Sequence, residues 1–234
     1  MSGSKGRSGG NVGTDGDPPD SSGLRATSDG VRTGTLYLAG SGSLAVEVAE
    51  WARDAGWEIA GLVELVDASR VGTRTGGHPV VAADALPPGA GVVVAAGGSR
   101  RSHWSALARS GCVPRTVVHP AAHVSASARL GAGCVVAPGV VIGAATVVDE
   151  HTLVSRGALV GHHDIVGAFV SLMPGANVAG NVTLGDDTTV GMGAIVVDHT
   201  RVGASARVAA GALVLRDVPD GARVQGVPAR PYVT

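Results

Sequence analysis

The hydrophobic positions of the chain follow a repeat of six residues over most of its carboxy-terminal half. From Val124 to Val214, sixteen consecutive sixth positions are aliphatic. An α-helix cannot keep a period of six on one face, and an ordinary strand alternates with a period of two. A parallel β-helix repeats one short strand and one corner per unit of six. We therefore predict a parallel β-helix with these inward residues: Val124, Leu130, Val136, Ile142, Val148, Val154, Val160, Val166, Leu172, Val178, Leu184, Val190, Val196, Val202, Val208 and Val214.

Small residues and glycines support the same interpretation. The position two residues before each aliphatic residue is small or β-branched almost throughout, from Ala122 to Ala212. Such a side chain fits beside the aliphatic one inside a narrow prism. Asp164 is the only charged residue at these positions, and a buried carboxylate is costly unless it is paired. Glycine, which permits a tight corner, follows the aliphatic residue at Gly131, Gly143, Gly161, Gly167, Gly185, Gly191 and Gly203.

A different pattern precedes the repeat. The apolar runs TLYLAG from Thr35, EIAGLVE from Glu58 and GVVVAAGG from Gly91 predict three strands. Apolar residues at helical spacing over 44–55, ending at a glycine, predict a helix between the first two strands. A second helix is predicted for the run SHWSALARSG from Ser102. The order of strands and helices indicates a small, parallel, Rossmann-like sheet.

These patterns divide the chain into four parts. Residues 1–33 contain eight glycines, six serines and no aromatic residue, which predicts a disordered tail. A Rossmann-like domain is expected over 34–118 and the β-helix over 119–217. The turn-rich segment 218–234 is expected to cap the final coil.

Composition restricts the classes of function. The formal net charge of −1 does not indicate general affinity for nucleic acid or for anionic membranes. The absence of a long apolar run and of a signal peptide predicts a cytoplasmic protein. Cys112 and Cys134 have no metal-ligand spacing, so two buried thiols in a reducing compartment are expected. The histidines offer no convincing set of three zinc ligands, and no metal is predicted.

The loop after the first predicted strand could bind a nucleotide. The run that begins at Gly40 matches G-x-G-x-x-[G/A], and Glu64 ends the second strand, where an acid could meet a ribose hydroxyl. Only one mononucleotide-sized half is present, so a single nucleotide is a better candidate than a dinucleotide. Glycine-rich turns of this kind also occur for packing reasons alone. The predicted substrate-binding residues are Gly40, Gly42, Ser43, Glu64 and Gly97.

Four motifs together resemble one family. They are GSGSLAVEVAE after the first strand, VVHPAAHVS at the domain junction, VGHHDIVGAFVSLMP within the repeat and the closing GVPAR. Over residues 35–230 this set resembles the hexapeptide-repeat acyltransferases that O-acetylate sialic acid or N-acetylate nucleotide-linked amino sugars. The resemblance implies a left-handed β-helix, a homotrimer, acetyl-CoA as co-substrate and a nucleotide sugar held by a half-Rossmann domain.

The resemblance also implies a catalytic histidine. The family pattern V-x-H-[DE]-x-V-I-G places the general base at His162, while the acid that usually follows is His163 here. A histidine N–H bonded to Asp164 would relieve the cost of burying that carboxylate and fix the imidazole tautomer. Two alternatives remain: His163 is the base with His162 in support, or both histidines face solvent without chemistry.

Further implications concern CoA and the reaction. The family's CoA-binding positions correspond to Ser171, Gly180, Met192 and Ala210, with Ser171 in place of a residue that is often histidine. The family loop is usually G-x-G-G-[FH]-[GA]-[RK]-E, and this chain has Ser43, Leu44 and Val46 at the fourth, fifth and seventh places, so a ring or cation that could contact the substrate is missing. Acylation of a different amine or hydroxyl, as in a secondary-metabolite pathway, is therefore an alternative, and a non-catalytic β-helix trimer is another. The acyl group and the choice between N and O transfer are left open by the sequence.

Overall fold

The computed structural model describes residues 34–98 and 100–232. Its amino-terminal elements are β1 (Gly34–Ala39), α1 (Ser43–Asp54), β2 (Trp57–Glu64), β3 (Arg74–Thr75), β4 (His78–Ala82), β5 (Gly91–Val94), α2 (Arg100–Arg109) and β6 (Val113–Pro114). The strands form a sheet in the order β3-β4-β2-β1-β5-β6, parallel except for the pairing of β3 with β4. The helix α1 follows β1 and buries Ala45, Val48 and Trp51. The predicted order of strands and helices is confirmed, whereas β3, β4 and β6 were not predicted.

The following residues form a parallel β-helix with three faces. Face 1 contains β7 (Val117–Val118), β10 (Val135–Val136), β13 (Leu153–Val154), β16 (Ser171–Leu172), β19 (Thr189–Val190), β22 (Arg207–Val208), β24 (Arg223–Gln225) and β25 (Arg230–Pro231). Face 2 contains β8 (His123–Val124), β11 (Val141–Ile142), β14 (Leu159–Val160), β17 (Asn177–Val178), β20 (Ile195–Val196) and β23 (Leu213–Val214). Face 3 contains β9 (Arg129–Leu130), β12 (Val147–Val148), β15 (Ile165–Val166), β18 (Thr183–Leu184) and β21 (Arg201–Val202).

The register explains the period of six. Each strand from β7 to β20 pairs with the strand three elements later, so that Ile142 lies beside Val160 and Val148 beside Val166. Three units of six therefore make one coil, and the aliphatic residue of each unit points into the prism. Ile142 is fully buried and Val160 is almost so.

Each corner of the prism contains a residue with a left-handed backbone. Between faces 1 and 2 this residue is glycine in five successive coils, from Gly139 to Gly211. The corner between faces 2 and 3, which we name the 2–3 corner, uses Ala145, His163, Asn181 and His199 instead. The 3–1 corner uses Gly133 and then His151, Phe169, Asp187 and Ser205. Asn, Asp and His are among the residues that tolerate this conformation best after glycine.

The helix α2 packs on the 3–1 corner. Arg100, only 6% exposed, donates to the carbonyl oxygens of Phe169 and Val170 and, at 2.6 Å, to the hydroxyl of Ser171. Arg101 lies over the ring of Phe169 and pairs with Asp187 at 2.8 Å. These contacts attach the amino-terminal sheet to the β-helix.

His151 completes this packing, although the sequence assigned it no role. Its ring stacks on Phe169, with 4.9 Å between centroids, and lies 4.4 Å from the ring of Trp104. Burial, followed by the charges of Arg100 and Arg101, lowers the pKa of His151 to about 4, so the ring is neutral. His151 is therefore an uncharged part of the packing between α2 and the β-helix.

Two of the expected boundaries differ from the structure. The pair Val117–Val118 already belongs to face 1 through its pairing with β10, so the β-helix begins just inside the segment assigned to the first domain. In the expected cap, Arg223–Gln225 continues face 1 by pairing with β22. The predicted tail, 1–33, lies outside the described residues. None of the helices found in 34–98 and 100–232 is long and apolar enough to cross a membrane.

Candidate active site

His162 and His163 lie side by side at the 2–3 corner, exposed between β14 and β15. Backbone bonds to the coils below and above hold this turn: His163 N donates to the oxygen of Ala144, and His162 O accepts from Asn181 N. His163 has a φ of 58°, the left-handed conformation that this corner also has at Asn181. The fold itself therefore determines where the two side chains leave the backbone.

The two imidazole rings contact each other through their Nδ1 atoms. The distance between His162 Nδ1 and His163 Nδ1 is 3.1 Å. The ring planes are 85° apart and the centroids 5.2 Å apart. An Nδ1–Nδ1 hydrogen bond needs one donor and one acceptor, so between two neutral imidazoles one ring carries its proton on Nδ1 and the other on Nε2.

Gly180, in the coil above, lies against the other side of His162. A Cβ atom placed on Gly180 would lie 2.7 Å from His162 Nε2, closer than real Cβ contacts allow. Glycine at this position therefore makes room for the observed ring orientation. The ring of His162 thus contacts His163 through Nδ1 and lies against the Gly180 backbone near Nε2.

Asp164 points into the prism below the histidines. It is fully buried; its Oδ1 accepts a hydrogen bond from Val182 N at 2.8 Å, whereas Oδ2 has no partner among the described residues. Burial raises the pKa of Asp164 to about 6, and the N–H groups of Val182 and Gly161 and the nearby His162 oppose that rise. The predicted hydrogen bond from a histidine to Asp164 is not formed, because Nδ1 of His162 faces His163 instead.

The predicted CoA-binding residues do not come together in one chain. Gly180 lies at the 2–3 corner with His162, whereas Met192, 56% exposed, and Ala210 lie at the corner between faces 1 and 2. Ser171 is on face 1, buried, with its hydroxyl bonded to Arg100. This cover by α2 has no signal in the sequence pattern, because it depends on how the amino-terminal sheet docks.

The loop after β1 is closed by Glu64. Its Oε1 accepts the N–H groups of Leu65, Val66 and Asp67 at 2.8–3.0 Å, and its Oε2 accepts the hydroxyl of Ser41. Burial works to raise the pKa of Glu64, but the N–H of Asp67, the Ser41 hydroxyl and the N–H groups of Val66 and Leu65 outweigh it and lower the pKa to about 2. The carboxylate is thus ionised and braces the loop. Its contact with a ribose stays a prediction.

A cavity of about 420 Å³ opens beside this loop, at the start of α1. Arg70 lines it and donates to the carbonyl oxygen of Ser41 at 2.6 Å and to Thr75 at 3.3 Å. Gly40 has a φ of 128°, and a Cβ there would lie 2.7 Å from Ala95 O, so the turn requires glycine. The lining residues are Ser41, Gly42, Ser43, Val46, Glu47, Glu50, Arg70 and Thr75.

Part of this cavity was missed by sequence reasoning. Arg70 ends a short 3₁₀-helix and Thr75 belongs to β3, in a stretch where no period or motif marks a binding residue. Gly42 and Ser43 of the predicted set line the cavity, whereas Gly40, Glu64 and Gly97 do not. Among the described residues, no three His, Cys, Asp or Glu side chains are grouped so that they could hold a metal ion.

Comparisons with solved structures identify close matches to the whole fold. PerB from Caulobacter crescentus, solved with CoA and GDP-perosamine, is 30% identical to this chain with a TM-score of 0.78. The match covers 91% of this chain and all of PerB. The acetyltransferase domain of PglB from Neisseria gonorrhoeae is 32% identical with a TM-score of 0.78; 85% of this chain covers 99% of it. WeeI from Acinetobacter baumannii is 22% identical with a TM-score of 0.77, and the match covers 86% of this chain and all of WeeI. At this identity the match shows the shared fold.

Searches by sequence gave no such result: no family model and no curated protein matches the chain. The structural matches include variants of the Caulobacter enzyme in which one histidine is replaced by asparagine or by alanine. The left-handed β-helix predicted from the resemblance is confirmed by the match to PerB. With at least 30% identity to two solved relatives that it covers almost completely, this chain belongs to the hexapeptide-repeat acyltransferases of left-handed β-helix fold, in the family of the sialic-acid O-acetyltransferases and nucleotide-amino-sugar N-acetyltransferases.

Proposed function

We propose that this chain transfers an acetyl group from acetyl-CoA to the amine of a nucleotide-linked amino sugar, with His162 as the general base. The observation that carries the proposal is an exposed histidine whose Nε2 lies over the Gly180 backbone, in a fold shared with a CoA- and GDP-perosamine-bound N-acetyltransferase. The choice of an amine over a hydroxyl rests on that relative. Acetyl-CoA is a co-substrate here, and the transfer itself needs no metal.

The proposed reaction needs one proton acceptor, His162, between the amino sugar and acetyl-CoA. His162 Nε2 takes a proton from the acceptor nitrogen as that nitrogen forms a bond to the thioester carbonyl carbon. The tetrahedral intermediate then breaks its C–S bond, and the proton on Nε2 passes to the departing thiolate to give free CoA. His162 returns to its neutral form, and no covalent enzyme intermediate is required.

The cavity at the start of α1 is our candidate site for the nucleotide. The amino-terminal end of a helix favours negative charge, and the guanidinium of Arg70 adds a cation at the same place. Arg70 could thus replace the cation that the loop lacks. Since Glu64 is already bonded within the loop, we expect it to shape this site more than to bind the ribose.

The enzyme should be a homotrimer. Outward residues of face 2 leave an apolar stripe in which Val141, Leu159 and Ile195 are each at least 40% exposed. The predicted CoA-binding residues lie at different corners of one prism, so they could line one groove only if two chains lie side by side. Light scattering at micromolar concentration should give the mass of three chains. A stable monomer would contradict a shared site.

Replacing Gly180 by leucine should damage both CoA binding and the chemical step. The new side chain would occupy the space of the His162 ring and the surface where the pantetheine arm is expected. We expect kcat to fall by about tenfold and the Kd for CoA to rise, since small misplacements of a catalytic group are costly. Ala144→Leu, at the equivalent position one coil below His162, is the control. If Gly180→Leu binds CoA normally with unchanged kcat, CoA does not pass this position.

The proposed function is tested by release of free CoA thiol in the presence of acetyl-CoA and candidate acceptors. Nucleotide sugars with a free amine should give turnover and an acetylated product by mass spectrometry. The same nucleotide sugars with a hydroxyl in place of the amine test O-transfer. Turnover only with simple amines would favour the alternative of a different small-molecule acceptor, and no turnover with any acceptor would favour a non-catalytic trimer.

A further inference from the structure

The 3.1 Å contact between Nδ1 of His162 and Nδ1 of His163 restricts the tautomers that the two rings can have. In one arrangement, His162 donates from Nδ1 to His163, which leaves a lone pair on His162 Nε2. In the other arrangement, His163 donates, and His162 then carries its proton on Nε2 and cannot accept another there. Only the first arrangement makes Nε2 of His162 a base.

The environment favours the arrangement in which His162 donates. His162 is exposed, and Gly180 has no side chain that would cover the edge of the ring that carries Nε2, so this nitrogen is left open to a substrate from the solvent side. Nδ1 is turned away from that opening and toward His163. A ring that keeps its proton on Nδ1 remains bonded to His163 both before and after Nε2 accepts a proton.

The position of His163 does not depend on its own side chain. Its left-handed φ of 58° recurs at Ala145, Asn181 and His199, the equivalent positions of other coils. Its backbone N–H is bonded to Ala144 O at 2.8 Å. The fold of the corner therefore determines the direction in which the side chain of His163 leaves the backbone, next to His162.

Few charged groups are close to this pair. The neighbouring coils contribute Ala144 and Ala145 on one side and Gly180 and Asn181 on the other, all uncharged. Within the turn itself, the ionisable neighbour is the buried Asp164, which makes no hydrogen bond to either ring. On the same corner, two coils above, His199 lies 3.9 Å from Asp198.

We propose that His163 is a positioning residue. Its Nδ1 accepts a hydrogen bond from the Nδ1–H of His162 and so keeps the lone pair of His162 on Nε2, on the edge of the ring next to Gly180. The imidazole of His163 would then take the place of the carboxylate that the family pattern V-x-H-[DE]-x-V-I-G has after its catalytic histidine. The proposal rests on the proposed function of His162 as a base and adds which nitrogen acts and what holds it.

The test compares two substitutions that the corner can accommodate. His163→Phe retains a ring but removes the acceptor, and Phe169 shows that phenylalanine occurs at a left-handed corner of this fold. His163→Asp supplies an acceptor of another shape, and aspartate also tolerates this backbone, as at Asp187. His199→Phe makes the same replacement two coils away and controls for any general cost.

We expect His163→Phe to lower kcat by roughly 10–100-fold with little change in the KM for acetyl-CoA, the usual loss when an orienting partner is removed. His163→Asp should recover most of that loss, and His199→Phe should behave as the parent enzyme. Full activity of His163→Phe would overturn the proposal, as would failure of His163→Asp to exceed His163→Phe.

A second readout separates this inference from the proposed function. The ¹⁵N chemical shifts of the histidine ring nitrogens report the tautomer in the trimer without any substrate. We expect His162 to carry its proton on Nδ1 in the parent protein and to lose that preference in His163→Phe. A His162 protonated on Nε2 would overturn the tautomer assignment even if acetyl transfer is found. Absence of transfer with the expected tautomer would instead count against the proposed function.

Discussion

The variant His162→Ala is expected to lower kcat by roughly 10²–10⁴-fold, the usual contribution of a positioned general base. The imidazole exchanges a proton with the acceptor and with the CoA sulfur during the reaction but is not predicted to hold the rest of the cofactor, so the Kd for CoA should change little. Steady-state kinetics with saturating acetyl-CoA, together with CoA binding by calorimetry, would measure both quantities.

The matched control for this variant is His199→Ala. His199 is an exposed histidine at the same corner, two coils above His163, and it has the same left-handed backbone. We expect its loss to leave kcat unchanged. If His162→Ala is nearly as active as the parent while His163→Ala is inactive, His163 is the base. If both variants remain active, the acyl transfer does not use this corner.

The variant Asp164→Thr is expected to make the protein more stable and less active. Thr146, Thr152 and Thr188 occupy equivalent inward positions, and each hydroxyl donates to the carbonyl fifteen residues later at 2.6–2.8 Å. Thr146 and Thr152 also accept the N–H eighteen residues later, as Asp164 does from Val182. Threonine could thus keep that bond without burying a charge.

The size of the gain follows from the pKa of Asp164, which burial raises from 3.8 to about 6. A carboxyl whose pKa is raised on folding costs no stability below pH 4, where both states are protonated. The cost grows as pH rises from 4 to 6 and is complete above 6. We therefore expect Asp164→Thr to raise the free energy of unfolding by about 3 kcal/mol at pH 8, and by progressively less toward pH 4. Urea denaturation at several pH values would measure this.

Activity should change in the opposite direction. The carboxylate of Asp164 lies near His162 and, in the proposed mechanism, would stabilise the imidazolium that forms when His162 accepts a proton. Without it we expect kcat to fall by about tenfold, less than when a carboxylate bonded directly to a catalytic histidine is lost. Asp164→Asn tests the loss of charge alone. A variant that is neither more stable nor less active would contradict both the buried charge and its effect on His162.

The sequence was sufficient to predict those features that depend on local pattern. The repeat of six identified the inward residues, since a prism wall has the same requirement at every unit. The apolar strand runs and the helix that ends before Gly56 likewise described the Rossmann-like sheet. The position of His162 followed from its register within the repeat.

Features that depend on contacts between distant segments were not predicted. The cover of Ser171 by Arg100 joins residues 71 positions apart. The contact of His162 with His163 requires the left-handed backbone of His163, which the period alone does not specify. Arg70 and Thr75 reach the cavity at α1 from a short 3₁₀-helix and from β3, neither of which the sequence pattern marked. The burial of His151 depends on the docking of α2.

The most direct test of the central claim is a crystal structure with CoA and a nucleotide-linked amino sugar bound together. The account predicts the acceptor nitrogen about 2.6–3.2 Å from Nε2 of His162, with the sulfur of CoA beside Gly180 and the nucleotide at the cavity lined by Arg70. An acceptor nitrogen bound against His163, or one remote from both histidines, would contradict it.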